Sequence, residues 1–135
     1  MTNNTRKVSI RSERGQTMTE FAIVLPLLAV LLFGIVQLGI SFNNYMTVTD
    51  ATRAGARKAA VSRDLADPSG AAETAVRSSA STLSQDDLEV LVDSNFESGS
   101  DVTVTASYPY SISLPLIGLV VTDGFLTSST TERVE

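Results

Sequence analysis

Gly15, Gln16, Glu20 and Phe21 are the residues of this chain whose types and order can carry chemistry. A glutamate follows a glycine after four intervening residues. From Phe21 to Phe42 there are 22 residues without a charge, and only Gln37 and Ser41 among them are polar. Ahead of Gly15 lie Arg6, Lys7, Arg11 and Arg14 against the single acid Glu13. A basic leader, a glycine, a glutamate and an apolar helix, in that order, make the substrate pattern of a prepilin peptidase. The leader's charges hold it in the cytoplasm, and a glycine lets an extended backbone enter a narrow active site. The cut would fall between Gly15 and Gln16, leaving Glu20 one helical turn inside the mature chain. A carboxylate costs on the order of 2–3 kcal/mol at full depth in lipid and less at an interface, so such a residue is a functional candidate. Its natural partner is the free α-amine of a neighbouring subunit. The competing account is a plain first-turn glutamate, favoured by the helix macrodipole by roughly 0.3–1 kcal/mol. Each feature alone is weak, and the joint spacing carries the reading.

The element that must position these residues is the apolar run itself. At about 1.5 Å per residue it covers roughly 33 Å as a helix, enough to cross a hydrocarbon core of about 30 Å. Phe21, Pro26, Gly34 and Phe42 mark this anchor. The run exceeds the roughly 7–15 residues of a secretory h-region, and no small-x-small cleavage site follows it, so it is expected to be retained. The polar leader, residues 1–15, has no apolar stripe and is expected to be disordered or frayed. The helix is expected to start near Gln16 to Thr19, capped by Thr17 or Thr19, and Pro26 to bend it rather than end it. It should continue through Tyr45, Val48 and Thr52 to about residue 62. Ala51, Gly55 and Ala59 form a small-residue stripe that lets another backbone approach closely, opposite Asp50, Arg53, Arg57 and Lys58.

Pro68 and Gly70 punctuate a break, where Asp67 or Ser69 can cap a short amphipathic helix over 71–83. The period then changes to two. Leu88, Val90 and Val92 mark one strand, and Val102, Val104, Ala106 and Tyr108 mark a clearer one across the turn 94–101. Pro109 ends that ladder or lies at an edge. The apolar run 114–121 is too short to span a bilayer and is either core or a partner contact, and a polar strand over 125–134 returns. The fold class is therefore α+β: a long N-terminal transmembrane, pilin-like helix, then a small domain of a short helix and an antiparallel sheet of about three strands. The organisation is a cytoplasmic leader (1–15), a transmembrane and extended helix (16–62) and a small extracytoplasmic domain (63–135).

From residue 41 onward thirteen acidic residues face six basic ones. A basic flank before the span and an acidic remainder after it place the N-terminus in the cytoplasm and the domain outside. An acidic exterior argues against nucleic acid as a partner. There is no cysteine and no histidine, so thiol chemistry and the commonest general base are missing. Asp86, Asp87, Glu89 and Asp93, and separately Asp64 with Asp67, lack the spacing of a calcium loop and are read as solvated charges rather than metal ligands or a catalytic pair. No cofactor is implied, and the chain is not expected to be an enzyme.

The stretch RGQTMTEFAIVLPLLAVLLFGIVQLG, followed by TVTDATRAGARKAA, resembles the TadE-like pseudopilins of tight-adherence (Flp) pilus systems. The resemblance lies in Arg14-Gly15-Gln16, Glu20-Phe21, Leu25-Pro26, Phe33-Gly34 and Arg53-Ala54-Gly55-Ala56-Arg57. Tyr108-Pro109, the Leu114-Pro115 run and the Ser/Thr-rich ending are similar more loosely. It implies a bitopic inner-membrane protein, cut by a prepilin peptidase, that serves pilus assembly or enters the pilus as a minor subunit. Implied partners are that peptidase, other pilins and pseudopilins, the Tad inner-membrane assembly proteins and membrane lipid. Major pilins of the system are shorter and carry Glu-Tyr where this chain has Glu20-Phe21. The other function class is a bitopic membrane protein whose outer domain binds a ligand or partner without a filament role. Neighbouring genes for a prepilin peptidase and a secretion ATPase would separate the two.

Overall fold

The computed structural model describes residues 10–114 and 119–135, with side chains over 15–112 and from 123 onward. The leader up to residue 9 and the middle of the apolar run, 115–118, lie outside the described residues. Two helices and three strands follow one another as α1 (Ile10–Ala60), α2 (Pro68–Ser79), β1 (Glu89–Asp93), β2 (Asp101–Leu114) and β3 (Leu119–Arg133).

α1 is one helix of 51 residues with Pro26 inside it. It begins earlier than the leader's polarity suggests. Arg11, Glu13 and Arg14 are good helix formers, and a lone Gly15 costs only about 1 kcal/mol relative to alanine, too little to stop a helix that the apolar run propagates. The expected cap is accordingly absent at Thr19, whose hydroxyl donates back to the Gly15 carbonyl at 2.9 Å. By length and composition α1 can cross a membrane, and none of its most apolar window is buried in the domain.

α2 starts as its residues dictate. The Asp67 carboxylate accepts from Gly70 N–H at 2.9 Å, and Pro68 occupies the first turn, where a missing N–H costs nothing. It ends at Ser79 rather than near Leu83, since Ser78, Ser79, Ser81 and Thr82 are weak helix formers. Ala80 and Leu83 still reach the core from the turn that follows.

The sheet has the order β1-β2-β3 and is antiparallel throughout. β1 pairs only with Thr103–Ser107, whereas β3 pairs along the whole of β2. Pro109 thus lies inside β2, opposite Phe125, where β1 has already ended and one side of β2 is an edge. An edge tolerates the missing donor, so the ladder to β3 continues through it. β3 begins at Leu119 rather than near Phe125, because the apolar run folds into the two strands as a hairpin: Leu114 pairs with Leu119, beyond a register shift at Ile112/Ser113. In the turn between β1 and β2, Phe96 has φ 53 and Gly99 φ 82. Phe96 holds this left-handed backbone with its ring against the core and its N–H on the Ser94 hydroxyl at 3.0 Å.

The core lies where the C-terminal part of α1 crosses α2 and the sheet. Val48, Ala51, Ala56, Ala59 and Ala60 of α1 meet Ala72 and Val76 of α2, Val102, Val104 and Ala106 of β2, and Ala80, Leu83, Leu88 and Val134 from loops. The alternate residues of β2 face outward, where Thr103–Thr131 (2.8 Å), Thr105–Ser129 (3.0 Å) and Ser107–Thr127 (3.0 Å) form a ladder of hydroxyl pairs. The chain end is tied back to the helix, Glu135 N–H donating to the Ala60 carbonyl at 3.0 Å.

Candidate functional site

Gly15, Gln16, Glu20 and Phe21 lie on about two exposed turns of α1. The Gly15–Gln16 bond lies within the continuous helix, not in an extended segment. The Gln16 side-chain amide donates to Glu20 Oε1 at 3.1 Å, and the Thr19 hydroxyl engages the Gly15 carbonyl. Two side chains thus bracket the bond that a peptidase would cut, and the carbonyl it would attack is already an acceptor. A Cβ built at Gly15 meets nothing within 4 Å, so nothing in the fold itself requires glycine there. Sequence reasoning missed the part of Thr19. Its signal was the spacing of four from Gly15, at which a helical threonine can bond the backbone. Of the anchor residues, Phe21 and Phe42 are 58% and 65% exposed, as a lipid-facing surface requires, whereas Gly34 is partly covered.

The small-residue stripe is occupied by the chain's own domain. Ala51 and Ala59 are fully buried. A Cβ at Gly55 would overlap Val76 Cγ2 and lie 3.3 Å from both the Ala72 carbonyl oxygen and Val104 Cγ1. The backbone that approaches α1 closely here is that of α2. Asp50, Arg53, Arg57 and Lys58 face outward, and Arg53 pairs with Asp50 at 3.3 Å. The covered face also continues into the apolar run through Val30, Gly34, Gln37, Ser41 and Asn44, a series that was readable in its alternating steps of four and three.

Asp67 is used as a helix cap. Among the described residues no group of three or more acidic side chains gathers where a metal ion could be held.

These features define a class: an α+β protein carried on one long apolar helix that runs out of its own domain, with Gly15, Gln16 and Glu20 exposed towards its far end. Within that class, residues 15–57 match the family model described as TadE-like protein, so the N-terminal part of the chain carries a TadE-like segment. The match begins at Gly15 and ends at Arg57, within α1. No curated protein and no solved structure matches the chain.

Proposed function

We propose that this protein is a membrane-anchored pseudopilin or minor pilin that acts in assembly of a tight-adherence pilus and is a substrate of a prepilin peptidase. The observation that carries the reading is the coincidence of two boundaries at Gly15, with Glu20 five residues later on an exposed helix: the TadE-like match starts there and the basic leader ends there. The leader stays in the cytoplasm, α1 crosses the inner membrane once, and the domain lies outside. Cleavage frees the α-amine of Gln16 and leaves Glu20 at the lipid border, where it docks the amine of a neighbouring subunit. Gln16, which holds Glu20 in the uncut chain, then becomes the terminal residue.

The test is mass spectrometry of the N-terminus of the membrane-bound protein from cells that assemble the pilus, with and without the peptidase. The expected mature form begins at Gln16 and disappears without the enzyme. A functional wild-type protein that keeps residues 1–15 would overturn the processing step.

A further inference from the structure

We propose that copies of this chain pack side by side in the membrane, the open face of one copy's sheet against the outward face of the next copy's α1. This rests on reading α1 as a membrane span, which holds every copy at one height. The domain is two layers thick. α1 and α2 cover the side of the sheet that carries Val102, Val104 and Ala106, and the hydroxyl ladder lies on its open side. The open side of the sheet and the outward side of α1 are therefore opposite sides of the domain, and they differ in charge. The sheet presents Glu89 and Asp93 on β1, Asp101 on β2 and Asp123 on β3 against Arg133. Arg133 is already engaged, its Nε donating to the Gly99 carbonyl at 3.0 Å. The outward side of α1 presents Arg53, Arg57 and Lys58 against Asp50. Arg53 answers Asp50 at 3.3 Å, which leaves Arg57 and Lys58 without an ion pair among the described residues.

Height decides whether these charges can meet, and two contacts fix it. A Cβ at Gly55 would lie 3.3 Å from Val104 Cγ1. Further down, Tyr108 to Ser111 line one cavity with Ile40, Ser41 and Asn44. Between those contacts β2 advances by about 17 Å from Val104 to Pro109, and α1 by about 17 Å from Gly55 to Asn44, so the two keep step. Val92 pairs with Val104 and Asp93 with Thr103, which sets Asp93 level with Arg57 and Leu91 level with Ala54. Phe125, opposite Pro109, stands level with Asn44, between Phe42 and Met46. Copies at one height thus bring Asp93 to a neighbour's Arg57 and exposed Leu91 to its Ala54. Exposed Phe125 meets its exposed Phe42 and Met46. Asp123 lies below this contact, at its rim. The signs of the charges choose the arrangement. Sheet against sheet would set acids against acids, and helix face against helix face bases against bases, both unfavourable. Sheet against helix pairs opposite charges. Such a contact is heterologous: each copy keeps one free face of each kind, so copies add in a row rather than stop at two. A second copy is favoured over another partner because the chain itself carries the complement of each face at the matching height. Surface ion pairs are weak singly, but anchorage in a shared membrane fixes height and orientation beforehand and lowers the cost of association.

The chain has no cysteine, so introduced thiols report single contacts. Full-length chains carrying Ala54→Cys, Leu91→Cys or both are embedded in phosphatidylcholine–phosphatidylglycerol vesicles and mildly oxidised, and the disulfide-linked species are separated by size. Both substitutions leave the charges in place, and within one chain the two positions lie on opposite sides of the domain and cannot join. Arg53→Cys in place of Ala54→Cys guards against a local misfit. The expected result is a ladder of dimers, trimers and longer species from the double variant, and dimers from a mixture of the two single variants well above either alone. Adding Arg57→Glu to the double variant should abolish the ladder, and adding Asp93→Arg as well should restore it. Either single variant linking to itself as readily as the mixture does, or no linkage in the mixture, overturns the proposal. So does a ladder that Arg57→Glu leaves intact or that Asp93→Arg fails to restore. The span is read separately, by whether the chain stays with the vesicles at alkaline pH. A retained chain without a ladder overturns this contact and leaves the span standing, whereas a released chain overturns both.

Discussion

Gly15 is a poor helix residue held inside a helix, which suits the proposed cleavage. Opening α1 around the Gly15–Gln16 bond removes less helix stability than it would with alanine, by about 1 kcal/mol. Gly15→Ala should therefore slow processing both by stiffening this turn and by adding a Cβ in the peptidase cleft. Gly15→Val should block it and leave the full-length chain in the membrane. Since a side chain at Gly15 meets nothing within 4 Å, the fold should be untouched. Immunoblots that separate the cut and uncut forms, with circular dichroism of the purified variants, check both halves, and a normally cut Gly15→Val would remove Gly15 from the site. Glu20→Gln should separate cutting from docking. The amide keeps the size and an acceptor for Gln16, so cleavage should proceed. A subunit amine left without its carboxylate at the lipid border should weaken assembly by roughly 2–4 kcal/mol. Pilus counts beside the mass of the mature N-terminus read the two effects apart, and full piliation would reduce Glu20 to an ordinary first-turn glutamate. Thr52 carries no such role: it is fully buried with its hydroxyl on the Val48 carbonyl at 2.6 Å. That bond stays within one helix turn, so Thr52→Val removes the donor without stranding a partner and should change stability by less than about 1.5 kcal/mol in a urea titration.

At the scale of elements, α1 and α2 approach through Gly55, and no other residue fits. Gly55→Ala adds helix propensity worth about 1 kcal/mol. It also forces a methyl into Val76 and against Val104, and overpacking typically costs about 1–3 kcal/mol. The expected outcome is a net loss of stability and a lower urea midpoint, and a stabilised variant would show that α2 can slide. Asp67→Ala removes the cap of α2 and should cost about 1 kcal/mol. The helices and the paired strands were legible because their periods were undisturbed and their punctuation, Asp67-Pro68 and Gly99, was local. Besides the end of α2, which falls at Ser79, two boundaries were not. The start of α1 was hidden because a polar leader without an apolar stripe resembles a disordered one, although Arg11, Glu13 and Arg14 favour helix. The length of the β2–β3 hairpin was hidden because a proline within a strand and a continuous apolar run at its end both resemble interruptions. Only the end of the β1–β2 pairing at Ser107, a tertiary fact, makes Pro109 acceptable within β2. Glu20 and Gly15 were legible as a spacing, whereas the bond from Thr19 to the Gly15 carbonyl needed the helix to be seen passing through the site.

The whole molecule divides its stability between two solvents. Every residue of the hydrophobic core, from Val48 to Val134, lies in or beyond the C-terminal part of α1. The apolar run before it adds none and is exposed, so its burial must come from a membrane or from neighbouring subunits. The domain should accordingly fold without the span but not without the end of α1. A fragment of residues 43–135 retains Val48, Ala51, Ala56, Ala59 and Ala60 and the contact through Gly55, so it should melt in a cooperative transition by circular dichroism. A fragment of residues 61–135 loses all five of those core side chains. α2 and the sheet would then expose their inner faces, and a loss of about 2–5 kcal/mol for even one large core side chain is already a sizeable share of the stability of a small domain. It should show no cooperative melt. Cooperative folding of the shorter fragment would mean that α1 merely leans on a self-sufficient domain; failure of the longer one would mean that the stretch of α1 lining a cavity with β2, at Gln37, Ile40 and Ser41, is part of the fold and that domain and anchor cannot be separated at residue 43.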